Sequence, residues 1–308
     1  MSVSLAGRTA IVTGAGQGLG RAEAIALAAA GASVVVNDLD RNVVDQVAAD
    51  IRAAGGTAAG CAGDIGDWET AQALLATALR EFGQLDILVN NAGVLRDKMI
   101  FSMSPEEWDL VLRTHLRGHF LTSRVATAYW REASKQAGGE VYARVINTSS
   151  EAFLLGSSGQ PNYAAAKDGI TALTLTTARS CARYGVRANA ICPRARTAMT
   201  GDLMGAAPAT GPDPLALEYV APLVTYLASE AAANINGEVF VVHGGVAAVM
   251  APPAVAATFR AAAHGSADGM WTLDAIASAL SGFATGPSGA GFLCEDTIAL
   301  ADETIGFG

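Results

Sequence analysis

The stretch PNYAAAKDGI at residues 161–170 sets a tyrosine and a lysine four positions apart. The chain has only three lysines, Lys98, Lys135 and Lys167, and every other basic side chain is an arginine or a histidine. On a helix that spacing puts Tyr163 and Lys167 on one face, one turn apart. Free in water the two groups titrate near ~10 and ~10.4. An ammonium held beside a phenol stabilises the phenolate, which makes the pair a candidate for acid–base chemistry. An ordinary surface tyrosine–lysine pair has the same spacing, so the rest of the sequence must discriminate.

A second stretch, TAIVTGAGQGLGRAEAIAL, places Gly14, Gly16, Gly18 and Gly20, with Gln17 and Leu19 between them, where a β-branched run gives way to helical composition. Glycines there permit a tight turn and close approach of backbone to a pyrophosphate seated on the helix N-terminus. The spacing is not the common G-x-G-x-x-G, and a plain tight turn is the competing reading. Asp38 ends the next apolar run, twenty residues after Gly18, where an acid accepts hydrogen bonds from an adenosine ribose. A carboxylate at that place repels the extra phosphate of NADP, which points to NAD. The alternative makes Asp38 a cap for the following helix.

These stretches need a scaffold, and the pattern supplies one. TAIVTG, SVVVND, TAAGCAGDI, LDILVNNAG, EVYARVINTSS, VRANAICP and NGEVFVVHGG read as strands, with helical segments between them. Such alternation predicts an α/β fold of Rossmann type, a doubly wound parallel sheet covered by helices on both faces. Ser104, Pro105 and Glu107 form a capping box for a long helix expected to run past Trp130. Residues 198–214, rich in Gly, Ala and Pro, read as a loop. Residues 1–249 are expected to form one domain carrying the whole active site. Residues 250–308 form a C-terminal extension, expected to cover the substrate site or contact another subunit; its Trp271, Phe283 and Phe292 need cover somewhere.

Bulk properties narrow the function. With 51% hydrophobic and 16% charged residues in 308, the chain is globular rather than disordered. A net charge of −9 argues against nucleic acid or an anionic membrane as partner. The N-terminus has no signal-peptide layout, and the apolar stretch near Pro252–Pro253 is short for a membrane span. Cys61, Cys181, Cys192 and Cys294 show no metal-like spacing with the four histidines, so they read as reduced and mostly buried, with no metal site, in a cytoplasmic protein.

Taken together, TGAGQGLG, NNAG at 90–93, the serine of INTSS, YAAAK at 163–167 and NAICP…T at 189–197 resemble the short-chain dehydrogenase/reductase family over roughly residues 5–247. The resemblance implies that Tyr163 is the proton donor and acceptor. Lys167 would bind the nicotinamide ribose and lower the pKa of Tyr163. Ser150, thirteen positions before Tyr163, would hold the substrate oxygen; strand alternation turns Ser149 the other way. Asp64 and Ile65 would contact the adenine, and Asn91, Ala92 and Gly93 would pass the adenosine ribose. Thr148 would line the cofactor site, while Pro193 and Thr197 would cradle the nicotinamide amide. Asn90 would hold the central strands together.

Two positions depart from the family pattern. His115, in RTHLRGHF, stands where the family has an asparagine that bends the helix and holds a relay water; it reads either as a relay member or as a buried, satisfied histidine. Arg194 replaces the glycine of a Pro-Gly, with Arg196 two residues on, and both are expected near the cofactor phosphates or the active-site mouth. VVVNDLD, NNAGVLRDKMI and HLRGHF resemble the (3R)-hydroxyacyl-CoA dehydrogenase branch, which has relatives acting on steroids. The implied activity is NAD-dependent interconversion of a secondary alcohol and a ketone, on a 3-hydroxyacyl-CoA or a hydroxysteroid. A homotetramer or homodimer is implied as well. The alternatives are a 3-oxoacyl-carrier-protein reductase and a cofactor-binding protein without catalysis.

Overall fold

A computed structural model describes residues 3–197, 206–208, 210–253, 258–265 and 269–281. The strands are β1 (Thr9–Val12), β2 (Ser33–Val36), β3 (Thr57–Gly60), β4 (Ile87–Asn90), β5 (Ala143–Thr148), β6 (Val186–Pro193), β7 (Val239–His243) and β8 (Val246–Val249). They form one sheet in the order β3-β2-β1-β4-β5-β6-β7-β8. Seven are parallel, and β8 pairs antiparallel with β7 across Gly244–Gly245, Gly244 adopting φ 49°. This edge strand was not expected: VAAV is too short and uniform to distinguish from the tail. The order reverses between β1 and β4, which opens a crevice at the carboxyl ends of the strands.

Strand periodicity builds the two layers. Ala10 and Val12 face one core with Val34, Val36, Val89 and Ile146, while Ile11, Val35, Leu88 and Val145 face the other. The first layer is covered by α1 (Gly18–Ala29), α2 (Arg41–Ala53) and a later helix at Ala221–Leu227; the second by α3 (Trp68–Phe82), α5 (Gly118–Ala137) and α7 (Pro161–Cys181). Before α7 come α4 (Pro105–Leu112) and the short α6 (Ala152–Leu155). The capping box at Ser104 and Glu107 starts α4. The long helix expected there does run past Trp130, through a π-helical turn at Arg113–Arg117 that joins α4 to α5 and contains His115. The wider turn carries one extra residue inward, which is how a helix places a side chain its regular spacing would turn aside.

Past β8, the described parts of the extension contain a turn at Ala261–His264 and a helix at Leu273–Leu280. Trp271 stacks on His264 with ring centroids 6.4 Å apart and remains 45% exposed. Phe283, Phe292 and Cys294 lie outside the described residues. Cys61 and Cys192 are buried free thiols, and Cys181 is half-buried. No helix among the described residues is long and apolar enough to cross a membrane.

One buried group opposes the packing. Leu19, Glu23 and Leu27 lie on one buried stripe of α1, and neither carboxyl oxygen of Glu23 has a hydrogen-bond partner. Burial pushes its pKa from 4.5 up to about 8. The folded chain therefore holds this proton more tightly than the unfolded chain. Its contribution to stability is complete below 4.5 and is lost as pH rises through about 8. Between those two values each pH unit costs about 1.4 kcal/mol, and above the upper one the loss is complete. Lys167 acts in the opposite sense, so the parent must be compared with Glu23→Gln. Thermal melts from pH ~6 to ~9 should show the parent losing stability relative to the variant up to about pH 8 and running parallel to it above; parallel profiles throughout would contradict the assignment.

Candidate functional site

The glycine loop fits a dinucleotide for steric reasons. A Cβ at Gly14 would stand 2.7 Å from Ala92 Cα, and one at Gly20 would stand 2.4 Å from both Gly14 O and Asn91 Nδ2. Gly14 and Gly18 also adopt positive φ, 62° and 55°. The first turn of α1 has no side-chain cap and no acidic residue, so its N–H groups remain directed at whatever anion enters. Gln17 is exposed at the N-cap position, whereas Leu19 points into the core, leaving its backbone alone to face the groove.

Asp38 lies across this loop. Its Oδ2 accepts from Gly16 N–H at 2.9 Å and its Oδ1 from Leu39 N–H at 2.7 Å. The cap of α2 is Asp40, whose side chain accepts from Asn42 N–H, so the capping alternative for Asp38 is excluded. Each Asp38 oxygen keeps a further lone pair, a suitable acceptor set for a vicinal diol. Asn91 ties the NNAG turn to the loop, its Nδ2 donating to Thr13 O and Gly14 O, and Ala92 N–H donates to Thr13 Oγ1. The amide of Asn91 is thereby engaged within the protein. Asn90 donates to Asn147 Oδ1 at 2.9 Å, joining β4 to β5 as expected. Thr197 lies across the groove against Gly18, and Pro193 ends β6. Asp64 is committed elsewhere: it pairs with Arg113 and accepts from Gly66 N–H. Ile65 is buried against Gly118, while the Asp64 side chain stays partly exposed with its oxygens shared with Arg113.

At the other end of the groove, α7 runs beside the end of β5. Lys167 is 2% exposed and its Nζ donates to Thr148 O at 2.6 Å. Thr148 Oγ1 is buried without a partner. One turn earlier, Tyr163 is half-buried, its ring centroid 5.3 Å from Lys167 Nζ. The two serines divide as strand alternation requires. Ser149 is buried, its hydroxyl bonded to Lys167 O and Thr171 Oγ1, while Ser150 is half-buried and near enough to Tyr163 to pull its pKa down.

The electrostatics differ from expectation. Burial pushes Tyr163 up to about 12, with Ser150 pulling the other way, and brings Lys167 down to about 7. With its own pKa at about 7, Lys167 is already neutral in the free protein where the phenol titrates, so it brings no charge to offset the burial of Tyr163 there. Desolvation outweighs the neighbour.

His115 stands edge-on to Tyr163, ring centroids 5.3 Å apart. Gly93 makes room: a Cβ there would meet His115 Cε1 at 2.3 Å. The imidazole Nε2 is 2.8 Å from Val94 O and 3.0 Å from Val94 N, serving one or the other according to tautomer. Nδ1 is buried without a partner. Burial and the Lys167 charge hold His115 well below its usual range, so at neutral pH it is an uncharged hydrogen-bonding ring.

Three site residues escaped sequence reasoning. Cys192, the penultimate residue of β6, is close enough to Tyr163 and Lys167 to affect both electrostatically. Glu151, directly after Ser150, receives two hydrogen bonds from Arg194, at 2.6 and 2.7 Å. His243 ends β7 beside that pair. The only available signal was position at a strand's carboxyl end. Arg194, expected near the active-site mouth, is paired with Glu151, and Arg196 with Asp213, so the charge of each is met within the protein.

A family model described as short chain dehydrogenase matches residues 8–205. The chain is 56% identical over 269 residues to hydroxyacyl-CoA dehydrogenase ChsB1 of Mycobacterium tuberculosis, covering 84% of each. It is 41% identical to peroxisomal multifunctional enzyme type 2 of Mus musculus, over 78% of this chain and 32% of that longer one. A crystal structure of a short chain dehydrogenase from Mycobacterium avium matches with TM-score 0.78 at 42% identity, covering 91% of this chain and 96% of the other. The chain belongs to the short-chain dehydrogenase family, as an oxidoreductase acting on CH–OH groups with a nicotinamide cofactor.

Proposed function

We propose that the protein oxidises the secondary alcohol of a 3-hydroxyacyl-CoA to the ketone, using NAD. The observation that carries this reading is the convergence of Ser150, Tyr163 and Lys167 at one end of a groove whose other end is the glycine cradle and Asp38. The α1 N–H groups would hold the pyrophosphate, Asp38 the adenosine ribose, Lys167 the second ribose, and Pro193 and Thr197 the amide. When bound, the cofactor supplies an electron-poor ring carbon that accepts hydride. Tyr163, as phenolate, takes the hydroxyl proton while the carbinol hydrogen leaves with its electron pair. Ser150 donates to the substrate oxygen and steadies its charge through the change. In the ketone-to-alcohol direction the same groups act in reverse.

The acyl-CoA assignment draws support from the loop after β4 and from the hydroxyacyl-CoA relatives. Arg96 donates to its neighbour's carbonyl, and Lys98 is 3.4 Å from Glu107 with half its side chain exposed. Ile100 and Phe101 follow at 76% and 83% exposure. Cations beside an apolar tip match a ligand with phosphates at one end and a hydrocarbon at the other. The C-terminal extension, whose described part leaves Leu273 and Trp271 exposed, is proposed to add cover to the same substrate or to a second subunit.

Tyr163→Phe should abolish turnover while leaving NADH binding near the parent value, since the ring still packs against His115; comparable turnover would reject the tyrosine. Asp38 should make NAD clearly the better cofactor, and Asp38→Ala should narrow the preference over NADP through loss of like-charge repulsion. Equal efficiency of both cofactors with the parent would overturn that reading. For the substrate, KM for a 3-hydroxyacyl-CoA should rise with salt and in the Arg96→Ala/Lys98→Ala double variant, while an uncharged hydroxysteroid stays indifferent. If both respond alike, or the CoA ester is never oxidised, the substrate assignment is wrong.

A further inference from the structure

We propose that the Arg194–Glu151 ion pair is a positioning device for Ser150, clamping the turn that carries the serine to the end of β6. The pair acts on the same site as the proposed oxidation and rests on that reading of Ser150.

Backbone geometry shows what needs holding. Ser149 is fixed from three sides: its N–H donates to Ile191 O at 2.7 Å, and its hydroxyl joins Lys167 O and Thr171 Oγ1. Ser150 is the first residue past that anchor. Its Oγ accepts from Ala152 N–H at 3.2 Å and its carbonyl from Phe153 N–H at 3.4 Å, both contacts inside the turn itself. These bonds give the turn its shape but do not fix it to the sheet. Glu151 does so: its side chain, 8% exposed, reaches across to Arg194, 16% exposed. Arg194 in turn is tied to the frame, its N–H donating to Val242 O at 3.0 Å as a continuation of β6 against β7.

The two-pronged geometry suits this role. A planar guanidinium meeting a carboxylate through Nε and Nη2 fixes direction as well as distance, whereas a single bond would allow the turn to pivot. His243 borders the pair with its Nε2 buried and unpartnered, and burial together with the Arg194 charge lowers its pKa. At neutral pH it therefore brings no second cation to compete for Glu151. A shift of the turn by a fraction of an ångström would move the Ser150 hydroxyl relative to Tyr163, and errors of about 1 Å cost on the order of a hundredfold in rate.

The test is a double-mutant cycle on the full chain with NAD, measuring single-turnover oxidation of a 3-hydroxyacyl-CoA, or of any secondary alcohol the parent oxidises. Arg194→Lys keeps the charge but cannot make the fork, and Arg194→Ala removes both. In the parent background Arg194→Lys should lower the rate about tenfold or more, with NADH affinity by fluorescence unchanged. In a Ser150→Ala background it should change the rate by less than about twofold, because its effect passes through the serine. An equal fold-loss in both backgrounds, a loss of NADH affinity instead of rate, or no loss in the parent would overturn the proposal. Should Arg194→Ala fail to fold, the Arg194→Lys cycle still decides. Failure of the underlying reading is distinguishable: Ser150→Ala alone would then leave the rate unchanged.

Discussion

A single buried hydrogen bond, from the ammonium of Lys167 to the carbonyl of Thr148, fixes where α7 lies on the sheet. A lysine only 2% exposed is costly to bury, and this contact defines the one position in which its charge is met. Once α7 is set against the end of β5, Tyr163 one turn earlier must stand over the same strand end. Ser150, two residues past Thr148, must then face it. The uniform polar floor beneath, where Asn90 meets Asn147 and Asn147 meets Thr174, keeps β4, β5 and α7 in register. These buried amides cannot slide without leaving a donor unpaired.

The same burial shapes the chemistry. Low polarity at the head of the cleft raises the phenol of Tyr163 to about 12 and lowers the ammonium of Lys167 to about 7. In the free protein the two groups are therefore both driven toward neutrality. A cationic ring entering beside them would reverse the balance for the phenol, so that on the proposed reading acid–base capacity accompanies cofactor binding. The opposite burial problem occurs in α1, where Glu23 lies unpartnered on the helix that opens with the glycine loop.

Much of this was legible in the sequence because glycine, capping residues and strand alternation have local causes. The parallel sheet, the capping box at Ser104, the division between Ser149 and Ser150, and the adjacency of Tyr163 and Lys167 all follow from spacing within a few residues. What could not be read depends on contacts between distant segments. Nothing near Arg194 announces Glu151, forty-three residues earlier. Nor does anything near Asp64 announce its pairing with Arg113, which comes to it from the turn between α4 and α5. That π-helical turn contains no helix-breaking residue and coincides with the seating of His115 against Gly93 and Val94, contacts that local spacing does not announce. Cys192 reached the catalytic groups only because β6 neighbours β5.

The proposed oxidation depends on Tyr163 as the proton acceptor in a site where bound cofactor brings its pKa down. The pH dependence of alcohol oxidation at saturating NAD measures this. The rate should rise with pH along a limb whose apparent pKa lies well below the value of about 12 set by burial in the free chain, and that limb should vanish in Tyr163→Phe. A rate independent of pH, or an unchanged limb in the variant, would contradict it.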